Sequence, residues 1–282
     1  MTAPQRRSVA QNAQLALLLE VSSTPKPGNV DRHREYPDLR FEHFVAGAVG
    51  AVDGLRIAAD GGPVGEAFER AVAGMSQQRG GNTQFGALLL VTPLAVAAAG
   101  GEVTPETADE VAAATTVDDA VGFYTAFDHV GVAVDDPPES GTPPDVRLGS
   151  DAESILRERG TTLTDVMAES ADVDGLAAEW VGGFRRTFET ARRIERREGP
   201  ITDRAAAVFL ELLAEEPDTF VVTQHDRETA AEVRERANSV LDGDEDATEL
   251  AAELVDRGIN PGTSADIVAG GLFVALERGV AV

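Results

Sequence analysis

Phe85-Gly86-Ala87-Leu88-Leu89-Leu90-Val91-Thr92-Pro93-Leu94-Ala95-Val96-Ala97-Ala98-Ala99 is the most apolar run in this chain of 282 residues. Its 15 residues fall short of the ~20 that a membrane span needs. The run therefore predicts a helix buried on all sides, and a chain with such a helix must supply others to cover it. Outward from it, apolar residues recur at helical spacing. Val9, Leu15, Leu18 and Leu19 give a face over 5–20, and Phe44, Val45, Ala48, Val49, Val52 and Leu55 another over 40–59, stopped by Gly61-Gly62-Pro63. A shorter helix is expected over 64–76. Thr104-Pro105-Glu106 caps one to about residue 116, and another covers 117–130. Ser150-Asp151-Ala152-Glu153 reads as a capping box.

The segment 174–197 predicts one long amphipathic helix, with Ala177, Trp180, Val181, Phe184, Phe188, Ala191 and Ile194 in a stripe that belongs to the core. Helices follow from Pro200 to about 214, then over 226–240 and 246–257, and over 264–278 with Ser264 as cap. Phe220-Val221-Val222-Thr223 fits either a short strand or an extended linker. The proline-rich stretch 135–149 reads as a surface excursion within a single domain of 1–282. No alternating run and no βαβ rhythm is present, so the expected class is all-α, a compact multi-helix domain.

Composition narrows the function. The net charge of −25 repels nucleic acid and anionic membrane, so neither is expected as a partner. Abundant acids with almost no lysine suit a high-salt cytoplasm, where screening removes the self-repulsion. The absence of cysteine excludes disulfides, thiolate nucleophiles and cysteine-ligated metals. His33, His43, His129 and His225 have no zinc-ligand spacing, and no Walker, dinucleotide or G-x-S-x-G motif occurs. The N-terminus lacks a signal-type apolar run, so a cytoplasmic location is expected. Ala-rich helices would suit a homodimer interface.

Three polar turns border apolar helices: 24–31, 80–86 and 258–266. Helix N-termini with small polar residues attract anions. The first turn, Thr24-Pro25-Lys26-Pro27-Gly28-Asn29-Val30-Asp31, holds the only lysine against 23 arginines. Prolines on both sides stiffen the backbone there, and an ammonium point charge suits phosphate. Lys26 is therefore expected on a polyphosphate. Carboxylates near the turns, Glu20, Asp31, Asp38, Asp119 and Asp266, are candidates for acid–base or metal work. Of the adjacent Asp118 and Asp119, at most one can face a cavity.

At these residues the sequence resembles the triphosphoribosyl-dephospho-CoA synthase family. The shared features are Glu20 with Pro25-Lys26-Pro27-Gly28-Asn29-Val30-Asp31, then Gly81-Asn82-Thr83-Gln84-Phe85-Gly86, then Asn260-Pro261-Gly262-Thr263-Ser264-Ala265-Asp266. Two departures stand out: Tyr36 replaces a family histidine, and Gln84-Phe85 replaces the family's His-Lys. The resemblance implies an all-helical fold. It also implies transfer of the triphosphoribosyl group of ATP to the 2′-hydroxyl of dephospho-CoA with release of adenine. It assigns Lys26, Gly28, Asn82, Thr83, Asn260, Gly262 and Ser264 to nucleotide binding and Asp31 and Asp38 to catalysis near the reacting carbon. Glu20, Asp119 and Asp266 would hold Mg²⁺. Two other readings of the same turns are a kinase or ligase acting on another phosphorylated acceptor, and a nucleotide-binding protein without turnover.

Overall fold

The structure, a computed structural model, describes residues 7–134 and 143–282. Among them every regular element is helical. The first five helices are α1 (Val9–Ser22), α2 (Phe41–Gly50), α3 (Val52–Ala59), α4 (Val64–Met75) and α5 (Phe85–Ala99). Next come α6 (Pro105–Ala113), α7 (Val117–Thr125), α8 (Glu153–Arg159), α9 (Leu163–Ser170) and α10 (Gly175–Val181). The chain ends with α11 (Arg185–Arg196), α12 (Ile201–Glu215), α13 (Thr219–Gln224), α14 (Arg227–Asp242), α15 (Ala247–Asp256) and α16 (Gly262–Glu277). No helix among the described residues is long and apolar enough to cross a membrane.

The all-α class read from the sequence is what the chain adopts. Helix α5 is buried along nearly its whole length, and α16 lies beside it, packed also on α1, α11 and α12. The two run through one continuous core, and their N-termini open on the same cleft.

Several boundaries differ from the sequence reading, each for a local reason. The helix expected over 40–59 breaks at Ala51. There Gly50 meets the backbone of Gly74, and a methyl group at Gly50 would fall 2.1 Å from the Gly74 carbonyl oxygen. The helix expected over 174–197 breaks at Gly182–Phe184, where Phe184 has φ 55° and is fully buried. The carboxylate of Glu179 then accepts the N–H groups of Arg186 (3.0 Å) and Thr187 (2.7 Å), restarting the helix as α11. The 117–130 helix ends as α7 at Thr125 and passes into a 3₁₀ turn. Residues 146–152 form a 3₁₀ turn in place of the capping box.

Residues 220–223, which fit either a strand or a linker by sequence, lie within helix α13, which Asp218 caps. Helix α16 starts at Gly262 rather than Ser264. Of the excursion 135–149, residues 135–142 lie outside the described part. The remainder is no mere surface loop: Pro143, Pro144, Asp145 and Val146 form part of the cleft wall.

Candidate active site

The cleft has a volume of about 560 Å³. It joins a polar end, built from the three turns, to an apolar end. Local chemistry sets each turn. Gly28, at φ +74°, lies so near the last turn that a methyl group would sit 2.2 Å from the Ile259 carbonyl oxygen. The Tyr36 hydroxyl closes the same seam by donating to the Gly28 carbonyl at 2.6 Å. Asn29 Nδ2 donates to Asn260 Oδ1 at 2.9 Å and to the Pro261 carbonyl at 3.3 Å. At the middle turn, Asn82 Oδ1 accepts the Phe85 N–H at 3.1 Å and so caps α5.

Six residues singled out from the sequence meet here: Glu20, Asn82, Thr83, Asn260, Gly262 and Asp266 all line the cleft. Asp266 reaches across from α16 to the first turn of α5, where a methyl group on Gly86 would be 2.0 Å from its Oδ2. Burial pushes the Asp266 carboxyl well above the ordinary range, and the nearby charge of Glu20 adds to this, while the Ala87 N–H pulls the other way. Burial raises Glu20 as well, against the opposing pull of the Lys26 ammonium.

The other predicted residues stand elsewhere. Lys26 is fully buried behind the wall, paired with Glu20 Oε1 and donating to Asn29 Oδ1 at 3.1 Å. It does not face the cleft, because the loop folds its side chain inward against Glu20. A direct contact with phosphate is thereby replaced by a hold on Glu20. Gly28 is likewise packed behind the wall rather than lining it.

Asp31 is the hub of its own loop. Oδ1 accepts the N–H groups of His33 (2.7 Å) and Arg34 (3.0 Å), and Oδ2 takes the Thr24 hydroxyl (2.7 Å) and the Arg34 guanidinium (3.1 Å). With both oxygens occupied, it is placed to shape the loop rather than to reach a reacting carbon. Asp38 is exposed and absent from the cleft wall.

Asp119 is spent on structure. Its carboxylate accepts the Gly65 N–H and both the N–H and hydroxyl of Thr116, each at 2.8 Å, which joins α7 to α4. Ser264 gives its N–H and its hydroxyl to Asp218, both at 2.8 Å, and so anchors the start of α16. These contacts leave neither side chain turned to the cleft.

Sequence reasoning missed Asp174 at the cleft mouth and the aromatic wall of the apolar end. There Phe85 meets Phe68 and Phe127, each with ring centroids 5.0 Å away, and Phe123 meets Phe127 at 5.3 Å. The spacing of Phe123 and Phe127, one helical turn apart, was the available signal. Among the described wall residues there is no lysine and no arginine, while Glu20, Asp145, Glu169, Asp174 and Asp266 are acidic. The arrangement suits a ligand with oxygens at one end, bridged to carboxylates by a hard cation, and an apolar or flat group at the other.

A helical protein with an acidic cleft at two helix N-termini is, as a class, a candidate for handling a phosphorylated small molecule with a divalent ion. The comparisons narrow this. The family model described as ATP:dephospho-CoA triphosphoribosyl transferase matches residues 6–281, so the chain belongs to that family and is a transferase. A crystal structure from Archaeoglobus fulgidus, provisionally named a triphosphoribosyl-dephospho-CoA synthase, is 25% identical, with TM-score 0.67 over 83% of this chain and 99% of that one. No curated protein sequence matches significantly.

Proposed function

We propose that this cleft moves the 5-triphosphoribosyl group of ATP onto the 2′-hydroxyl of 3′-dephospho-CoA and releases adenine. The observation that carries the reading is the meeting of Glu20 and Asp266, from opposite ends of the chain, at the N-terminus of α5. The bond from ribose C1′ to the base nitrogen breaks, and a bond from C1′ to the acceptor oxygen forms. The acceptor's proton goes to a carboxylate, and the departing base takes up a proton in turn.

Asp266 fits the role of base. Its proton affinity is raised by burial and by Glu20, the direction a general base needs. Positive charge developing at C1′ is stabilised by the same acidic wall. The apolar end, with Phe123, Phe127 and Leu176, suits the uncharged base or the hydrocarbon part of the acceptor.

Mg²⁺ fits the donor set in a limited way. No cluster of three or more acidic or histidine side chains is arranged as a cage among the described residues. Magnesium, however, is commonly held by one or two carboxylates plus substrate phosphates, and Glu20 supplies one on the cleft wall while Asp266 stays free as base. Bound there, the ion would neutralise triphosphate charge. Lys26 keeps Glu20 paired from behind, which favours its anionic, ligating form.

The test is incubation with ATP, Mg²⁺ and dephospho-CoA in molar KCl, followed by mass spectrometry. Free adenine, released in step with a dephospho-CoA adduct carrying the triphosphoribosyl mass, is the expected result. ADP or AMP as the nucleotide product would replace the reading with a kinase or ligase. Bound ATP without turnover would leave a nucleotide-binding protein.

A further inference from the structure

The polar end of the cleft contains a chain of hydrogen bonds whose direction is fixed from behind the wall. An ammonium has only donors, so the Asn29 atom facing Lys26 at 3.1 Å must be the amide oxygen. A backbone carbonyl only accepts, so the Asn29 atom facing the Pro261 carbonyl at 3.3 Å must be the NH₂. Two independent neighbours therefore hold Asn29 in one orientation. Its NH₂ also donates to Asn260 Oδ1 at 2.9 Å, so the Asn260 oxygen is turned inward. The Asn260 NH₂ is left facing the cleft that Asn260 lines, with no partner among the described residues. In a wall without lysine or arginine, that amide joins the Asn82 NH₂ and the Thr83 hydroxyl as a side-chain donor for an anionic oxygen.

We propose that Asn29 is a positioning residue which, locked between Lys26 and the Pro261 carbonyl, turns the Asn260 NH₂ outward to donate to a phosphoryl oxygen. The inference rests on the nucleotide reading above. It goes further in assigning the polarity of the site to Asn29, which borders the cleft but acts through Asn260.

A double-mutant cycle tests it, with MgATP affinity measured by calorimetry and a thermal melt on every variant. Asn29→Asp keeps a partner for Lys26 but presents oxygen to Asn260, whose amide must then turn round and show its oxygen to the cleft. Asn260→Ala removes the donor outright. Each is expected to weaken MgATP about 10- to 100-fold, the scale for losing a hydrogen bond to a charged acceptor. The double variant is expected to be no weaker than the worse single one, within about threefold.

Losses that multiply would overturn the proposal, because Asn29 would then act by itself, through its own charge or contact. If Asn29→Asp melts too early to titrate, Asn29→Leu takes its place: its loss must vanish in the Asn260→Ala background, and persistence there overturns the proposal equally. Wild-type protein that fails to bind MgATP would overturn the nucleotide reading itself, whereas binding with multiplying losses removes only this assignment.

Discussion

Lys26→Met should be costly to the fold. The ammonium is fully buried, pairs with a carboxylate that is itself only 4% exposed, and also donates to Asn29. Methionine fills nearly the same volume, so the cavity left is small and the main effect is an unpaired Glu20 charge. Removing one partner of a buried pair costs roughly 3–5 kcal/mol, because the remaining ion has lost its compensation in a poorly solvated place. For a chain of this size 1 kcal/mol shifts Tm by about 2–4 °C, so a fall on the order of 10 °C is expected. The assay is thermal unfolding at fixed high salt, with the companion variant Glu20→Gln and the double variant. Glu20→Gln in the Lys26→Met background should recover several degrees, since it removes the stranded charge. A Lys26→Met protein melting within about 2 °C of wild type, or a double variant no better than Lys26→Met, would refute this account of the pair.

Two further outcomes follow from the same geometry. Gly86→Ala places a methyl group 2.0 Å from Asp266 Oδ2 and 2.6 Å from Leu176 Cδ1, so the carboxylate must move. Transfer activity should fall about 100-fold or more while Tm changes by a few degrees at most; full activity would contradict Asp266 as base. Burial raises the Asp218 and Asp266 carboxyls in the folded chain. Their stabilising contribution is therefore complete below the ordinary carboxylate range near ~4 and is lost as pH climbs through their raised folded values. Denaturant unfolding with chelator present should show stability declining as pH climbs above the ordinary carboxylate range, with a shallower decline in Asp266→Asn. An unchanged slope in that variant would contradict the burial of this carboxyl as the cause.

Much of the fold could be read from local signals. The uniform apolarity of 85–99 required a buried helix, and the Thr104 cap forms where the sequence places it. The break before α11 depended on Gly182-Gly183, a turn signal outweighed by the long apolar stripe that continues across it. Two of the three turns were legible as helix starts, with glycine and asparagine just ahead of α5 and α16, while the 24–31 turn follows α1 and leads into no helix.

What each side chain does there was harder to see. Asp31 binds N–H groups two and three residues ahead, a local pattern that marks a loop-forming aspartate. The fate of Lys26 depends on Glu20 and on Phe209, whose ring centroid is 5.9 Å from the ammonium; no local rule brings Phe209 there. Asp119 and Ser264 were claimed by Gly65 and Asp218, partners far along the chain.

An acidic cleft without cations in its described wall needs a metal ion to hold a triphosphate. Titrating ATP into wild-type protein by calorimetry, once with Mg²⁺ and once with chelator, tests this directly. Binding with Mg²⁺ that disappears with chelator, and that Glu20→Gln weakens, is the predicted result. Equal affinity without the metal ion would contradict it.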